Sequence, residues 1–276
     1  MRFFLILVLS FASSAAFSQE RLEFKTPLAE ISIKELDQVS LDTRDQIFAS
    51  TASGDVFLFD KSGKQLNLFS PPRQARIQQL EASWTVNIFT FSADLQEYRV
   101  MDRFLNPIAE NSLLLDNIIL PKAATLGNNN VIWVWDESDL SLKSVDYIRK
   151  LILQSQPLNL ILDSEDLRVT EIREFKNRLF MNVPGSGIFI FDNQGNFLQK
   201  AAIQIEQRMC YYKEHLFWID GKNLKGYSLT SQAFFDMGKL PTENFESVQI
   251  GQEIITFVEK EAIKVYALPE QLKRIK

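Results

Sequence analysis

The chain has one cysteine, one histidine and only ten glycines in 276 residues. The first two scarcities each remove a class of chemistry. A lone thiol, Cys210, has no partner for an internal disulfide, so stability must come from packing. Cys210 sits in the run Met209-Cys210-Tyr211-Tyr212, the setting of a buried structural thiol rather than a reactive one. A lone imidazole, His215, excludes a histidine-rich zinc centre. A Ser-His-Asp triad would have to use His215, yet there is no Gly-x-Ser-x-Gly elbow. His215 opens the run Leu216-Phe217 and reads as a strand-start residue. Gly185-Ser186-Gly187 is not followed by Gly-Lys-Ser/Thr, so it is no phosphate loop.

Basic tracts are also missing. The formal net charge is -5 and both signs are mixed along the chain, which argues against a nucleic-acid partner. Beyond the N-terminus no apolar run is long enough to span a bilayer. A membrane β-barrel needs a uniformly apolar lipid face. Here charges interrupt many strands, and the chain ends in Lys-Arg-Ile-Lys.

The one apolar run is N-terminal. Arg2 precedes Phe3 to Leu9, and Ala16-Phe17-Ser18 offers a small-x-small cleavage site. Residues 1–19 are therefore expected to be a secretory signal peptide, leaving Gln19 or Glu20 as the new terminus. No cysteine lies near that site to carry a lipid. The expected product is a soluble secreted or periplasmic protein, with residues 20–276 as one domain.

What is present is a repeat. A hydrophobic run with an aromatic or β-branched centre is followed by a turn and an alternating run that often ends in Asp. The copies include Gln46-Ile47-Phe48-Ala49 with Val56-Phe57-Leu58-Phe59-Asp60, and Arg178-Leu179-Phe180-Met181 with Ile188-Phe189-Ile190-Phe191-Asp192. The six alternating runs end at Asp60, Asp102, Asp146, Asp192, Ser228 and Ala267, at intervals of 42, 44, 46, 36 and 39 residues. A four-stranded propeller blade takes roughly 40–45 residues. The fold class predicted is all-β: a six-bladed β-propeller of four-stranded blades. The last blade lacks a fourth strand, since Pro269 and a charged tail follow Tyr266. The leftover segment Leu22 to Lys25 is expected to supply it and close the ring.

Several local readings follow. Asp60-Lys61-Ser62-Gly63 and Asp192-Asn193-Gln194-Gly195 suit short hairpins, with Asp bonding the backbone and Gly taking positive φ. A calcium loop needs several alternating oxygens, and each turn supplies one Asp. Phe48, Phe89, Trp133, Phe180 and Phe217 share one repeat position and are expected between blades. Core packing is also the reading for Trp135 and Trp218, with a partner-binding rim as the alternative. Leu113 to Leu120 and Pro157 to Leu162 are apolar additions between blades, as outer strands or rim flaps. Tyr147 to Gln154 has near-helical spacing and could form a short helix. The clusters Asp136-Glu137-Ser138-Asp139 and Asp163-Ser164-Glu165-Asp166 read as solvated loop acids, with cation binding as the alternative.

Inner strands are drafted near Gln38–Leu41, Ile77–Glu81, Lys122–Leu126, Val169–Arg173, Arg208–Tyr212 and Ser247–Ile250. Their charges are mixed: Glu81 and Glu171 against Lys122, Arg173 and Arg208.

The cadence, best kept at Val56–Asp60 and Ile188–Asp192, resembles six-bladed propellers of the NHL-like group over about residues 22 to 267. That resemblance implies an exported interaction scaffold, a sugar or lactone hydrolase, or a cofactor-dependent dehydrogenase. The lactonase-like metal ligands of that group match no residues here, and fold analogy does not choose an activity. The function expected is a non-enzymatic scaffold, monomeric and without cofactor, that binds a protein or cell-envelope component. The alternative is a metal-dependent hydrolase of a small sugar-derived or lactone substrate in the central channel. No catalytic, cofactor or metal residue is assigned.

Overall fold

The structure is a computed structural model that describes residues 22–82, 87–162 and 167–275. The expected signal peptide at 1–19, Trp84 and the acidic run 163–166 lie outside the described residues. The strands form six four-stranded antiparallel sheets, the six blades of a β-propeller. Blade 1 comprises Leu36–Leu41, Ile47–Thr51, Val56–Phe59 and Gln65–Phe69. Blade 2 comprises Gln79–Glu81, Asn87–Ser92, Glu97–Asp102 and Pro107–Ser112. Blade 3 comprises Pro121–Leu126, Val131–Asp136, Ser141–Asp146 and Leu151–Pro157. Blade 4 comprises Glu171–Phe175, Arg178–Val183, Gly187–Asp192 and Phe197–Ala201. Blade 5 comprises Cys210–Tyr212, His215–Asp220, Asn223–Ser228 and Phe234–Lys239. Blade 6 takes Ser247–Ile250, Ile254–Glu259 and Ala262–Ala267, and its outer strand is Ala29–Ser32.

Closure by the N-terminus is as expected, but the segment is different. Ala29–Ser32, not Leu22 to Lys25, pairs with the third strand, with Ala29 opposite Val265 and Ile31 opposite Ile263. The reason is reach: only three residues, 33–35, link Ser32 to the inner strand of blade 1. Leu22 is buried in the core between blades 5 and 6, and Phe24 meets Phe257 and Tyr266 edge-on at 5.5 Å.

The middle strands are apolar on both faces because each blade is covered on both sides. Alternation sends Phe48 toward blade 2 while Ile47 and Ala49 face blade 6. Phe48, Phe89, Trp133, Phe180 and Phe217 are all buried, each at the junction with the following blade. In blade 6 the register sets Thr256 opposite Val265, so that slot carries a threonine. Trp135 and Trp218 are buried as well.

The outer hairpins explain the recurrent Asp. Asp60 Oδ1 accepts from the amides of Ser62 and Lys64, at 2.9 and 3.0 Å. Asp192 does the same for Gln194 and Asn196, at 2.8 and 2.9 Å. Gly63 and Gly195 take the left-handed position, with φ of 82° and 81°. In blade 2 that position falls to Leu105 at φ 66°, and in blade 3, whose turn is one residue wider, Lys150 is left-handed at φ 57°.

One segment differs from its sequence reading. Tyr147 to Gln154 forms no helix: Asp146 accepts from the amides of Ile148 and Arg149, and the chain turns directly into the strand Leu151–Pro157. Strand pairing with Ser141–Asp146 outweighs the helical spacing. Leu113–Asp116 is a 3₁₀ turn, and Asn159–Leu162 is one helical turn after Pro157 ends the outer strand. Among the described residues no helix is long and apolar enough to cross a membrane.

Two stability outcomes are expected. Phe180→Ala should cost about 3–5 kcal/mol, as for aromatics truncated in cores, measured by denaturant unfolding. Deleting residues 22–33 should lower the melting midpoint by more than about 10 °C, since it strips blade 6 of Ile31 and bares a strand edge. An unchanged midpoint in the deletion would mean the ring closes without this strand.

Candidate functional site

Around the axis of a propeller each inner strand has an unpaired edge, whose amides need acceptors. Here polar side chains of the preceding blade supply several. Ser40 Oγ of blade 1 accepts from Ala82 N at 3.0 Å. Thr125 Oγ1 of blade 3 accepts from Glu174 N at 3.1 Å, and Glu171 Oε2 of blade 4 from Met209 N at 2.9 Å. Small or acidic acceptors therefore recur on inner strands for a structural reason.

A second layer crosses the axis. Arg208 of blade 5 donates to Gln79 Oε1 of blade 2 at 2.8 Å. Gln79 Nε2 donates to Glu81 Oε1 at 2.6 Å, and Thr125 Oγ1 donates to Glu81 Oε2 at 3.0 Å. This network links blades 5, 2 and 3 across the axis. Burial pushes the Glu81 carboxyl above its ordinary range, opposed by the nearby Arg173 charge and by Thr125 and Gln79. Burial likewise pushes the Arg208 guanidinium down, opposed by Glu171 and Asp37.

Adjoining this network at Arg208 lies a cup of about 360 Å³. Its walls are the starts of the inner strands of blades 1, 4, 5 and 6, the loop before blade 2, and the ends of second strands. It bears the carboxylates of Asp37, Glu171, Glu206 and Glu246 and the guanidiniums of Arg76 and Arg208. Four against two leaves a formal charge of -2. Arg76 holds Asp37 through two bonds of 2.9 and 2.8 Å, so this pair is internally matched.

The structure brings together four of the five charged inner-strand residues read from the sequence. Glu81, Glu171, Arg173 and Arg208 gather at the axis. Lys122 does not: its side chain is exposed and pairs with Glu137 at 3.7 Å. Sequence reasoning missed Gln79 and Asn182. Asn182 was visible as the polar residue inside the apolar run Leu179-Phe180-Met181-Asn182-Val183.

One acidic cluster needs correction. Asp136 is not a solvated loop acid but fully buried at the end of a strand. Its carboxylate accepts from the amides of Ile119 and Leu120, from Ser138, and from Lys143 Nζ at 2.6 Å. It fastens the Leu113–Leu120 connection to the rim. Burial pushes its carboxyl up, but Lys143, Ser138 and the amides hold it at about 2. His215 is buried at a strand start, and burial lowers its imidazole. Cys210 is buried, its thiol pushed up to about 12 by burial, as suits a structural residue.

Neither a protein-family model nor a curated protein sequence matches the chain. Its likeness is to solved β-propellers. The WD40 domain of Neurospora crassa Pan2 superposes with a TM-score of 0.58 at 11% identity, over 85% of this chain and 78% of that one. The β-propeller domain of Myceliophteria thermophila Cps50 (Swd1) gives 0.56 at 11% identity, over 86% of this chain and 99% of that one. At such identity the likeness establishes the fold and carries no activity across.

The two buried acids should show opposite pH dependences. Asp136 sits below its ordinary value of 3.8, so its stabilisation is complete above that pH and is lost as pH falls toward about 2. Asp136→Asn should cost about 1.5–3 kcal/mol at pH 7 by breaking a buried charged hydrogen bond and leaving Lys143 only the exposed Asp139 carboxylate at 2.8 Å, with the gap closing below pH 3 in thermal melts. Glu81 is raised above 4.5, so its contribution is fully present below that pH and declines as pH rises through the folded value. Glu81→Gln should flatten that decline; a parallel curve would place the titration elsewhere.

Proposed function

We propose that the protein is an exported, non-enzymatic propeller scaffold that binds a protein or cell-envelope component on the cup-bearing rim. The observation that carries this reading is a set of exposed aliphatic side chains on that rim. The strand registers put the second-to-third turns and the blade-to-blade connections on the same side as the cup. On that side Leu114, Ile119 and Leu120 stand exposed in one connection, Leu160 and Ile161 in the next. Both connections flank one turn of blade 3: Glu137 N donates to Leu120 O, and Leu158 N donates to Leu140 O. Aliphatic groups held rigidly in water at a rim are the usual signature of an interaction surface. Export rests on the leader read in residues 1–19.

The hydrolase alternative requires a convergent ligand set for a hard cation. Among the described residues no three His, Cys, Asp or Glu side chains are grouped to hold a metal. Glu81 is instead committed to Gln79 and Thr125, Asp37 to Arg76, and one oxygen of Glu171 to Met209 N.

The test is capture from an envelope fraction with the leader-free protein as bait. Ile119→Glu combined with Leu160→Glu should reduce recovery of the partner at least about tenfold, a loss of about 1.4 kcal/mol, at an unchanged melting midpoint. Undiminished capture would remove the rim from the interaction. In parallel, calorimetric titration with calcium is expected to show no tight stoichiometric binding. Tight binding together with a lactonase or esterase rate that appears only with the metal would favour the hydrolase.

A further inference from the structure

Two acceptor oxygens in the wall of the cup have no hydrogen-bond donor. Glu171 Oε1 and Asn182 Oδ1 are both shielded and unpaired, and both residues are 2% exposed. Glu171 and Asn182 stand directly opposite each other on neighbouring strands of blade 4, so their side chains share one face. Their other polar atoms are engaged. Glu171 Oε2 accepts from Met209 N at 2.9 Å. Asn182 Nδ2 donates to Ile205 O at 2.9 Å and to Thr170 Oγ1 at 3.3 Å. The contact with Ile205 O fixes the amide orientation, because the reverse would set two carbonyl oxygens against each other.

A buried acceptor without a donor is destabilising, more so for a charged group, and two side by side ask for one ligand with several N–H bonds. The surrounding charge gives its sign. Arg173 and Arg208 lie near Glu171, two guanidiniums against one carboxylate, so the wall itself carries no negative surplus. Asp37 is matched by Arg76. Glu206 and Glu246, both exposed at the mouth, provide the negative surplus. We infer that the cup binds a primary ammonium group, which sets its N–H bonds on Glu171 Oε1 and Asn182 Oδ1 while the mouth acids favour its charge. The ammonium comes either from a free alkylamine or from a lysine side chain presented by a partner; the cup volume of about 360 Å³ admits both. The inference stands on the cup alone, so a silent rim leaves it intact, and a silent cup leaves the rim reading intact.

The local reporter is the Met209 amide, whose N–H lies on Glu171. Its ¹H–¹⁵N resonance should shift saturably on titration with n-butylammonium chloride at low salt, and with the peptide acetyl-Gly-Lys-Gly-amide if a partner's lysine is the source. Saturation by the amine alone assigns a free amine, and saturation by both assigns the side chain. Tetramethylammonium, with no N–H, should bind at least about tenfold more weakly. Glu171→Gln keeps an oxygen for Met209 N but turns the unpaired acceptor into a donor, and should weaken binding at least about tenfold, or 1.4 kcal/mol. Should that variant fail to fold, Glu206→Gln with Glu246→Gln removes only exposed charge; it should weaken binding several-fold and reduce its salt dependence. No saturable shift with either ammonium probe, equal binding of tetramethylammonium, or wild-type affinity in the variants would overturn the inference.

Discussion

A four-stranded blade has two apolar faces and cannot cover either by itself. Everything else in this protein depends on how those faces are satisfied. Six buried clusters occur, one at each junction, including the one between blades 6 and 1. An open row of six blades would have only five internal junctions and two bare faces. Closure supplies the sixth, and the strand Ala29–Ser32 locks it from the far end of the chain. Asp45 adds a polar latch at the same seam, accepting from the amides of Gln252 and Glu253 at 2.6 and 2.8 Å. This arrangement replaces the disulfides that a single cysteine cannot form.

Closure also creates the functional geometry. Bringing six inner strands to one axis leaves their edge amides facing one another, and side chains from the preceding blade accept several of them. The acids and amides at the axis are thus first of all structural. Glu171 illustrates how one residue serves both ends: one oxygen holds Met209 N, the other is buried without a donor in the wall of the cup. The same rim gathers the connections that vary most between blades. Asp136 pins one of them by its peptide amides and leaves Ile119 and Leu120 facing water. A rigid ring with an acidic cup and an aliphatic flank on one rim is the physical basis of the proposed binding role.

Much of the fold was legible. The period of the alternating runs located the third strand of each blade, and the shared aromatic slot located five of the six blade junctions. Both signals survive because each blade meets the same two neighbours in the same way. Errors arose where a local signal competed with pairing. Tyr147 to Gln154 has helical spacing but lies beside a strand that needs an outer partner. Leu22 to Lys25 alternates like a strand, yet the short link from Ser32 to Leu36 leaves it no position in the sheet. The turns of blades 2 and 3 were harder to read because their left-handed residues are Leu105 and Lys150 rather than glycine.

By itself the sequence determined the architecture, the number of blades, closure by the N-terminus and the lack of an internal disulfide or a histidine-rich metal centre. These follow from periodicity and composition, which are local or countable. Only the tertiary structure decided the site. Gln79 and Arg208 are 129 positions apart and meet across the axis. Asn182 gains meaning only from its register with Glu171, and Lys122 loses its place in the channel to an exposed pair with Glu137. Such placements depend on which of two alternating faces turns toward the axis and on which blade lies opposite. Ring closure sets both, and no local pattern encodes either.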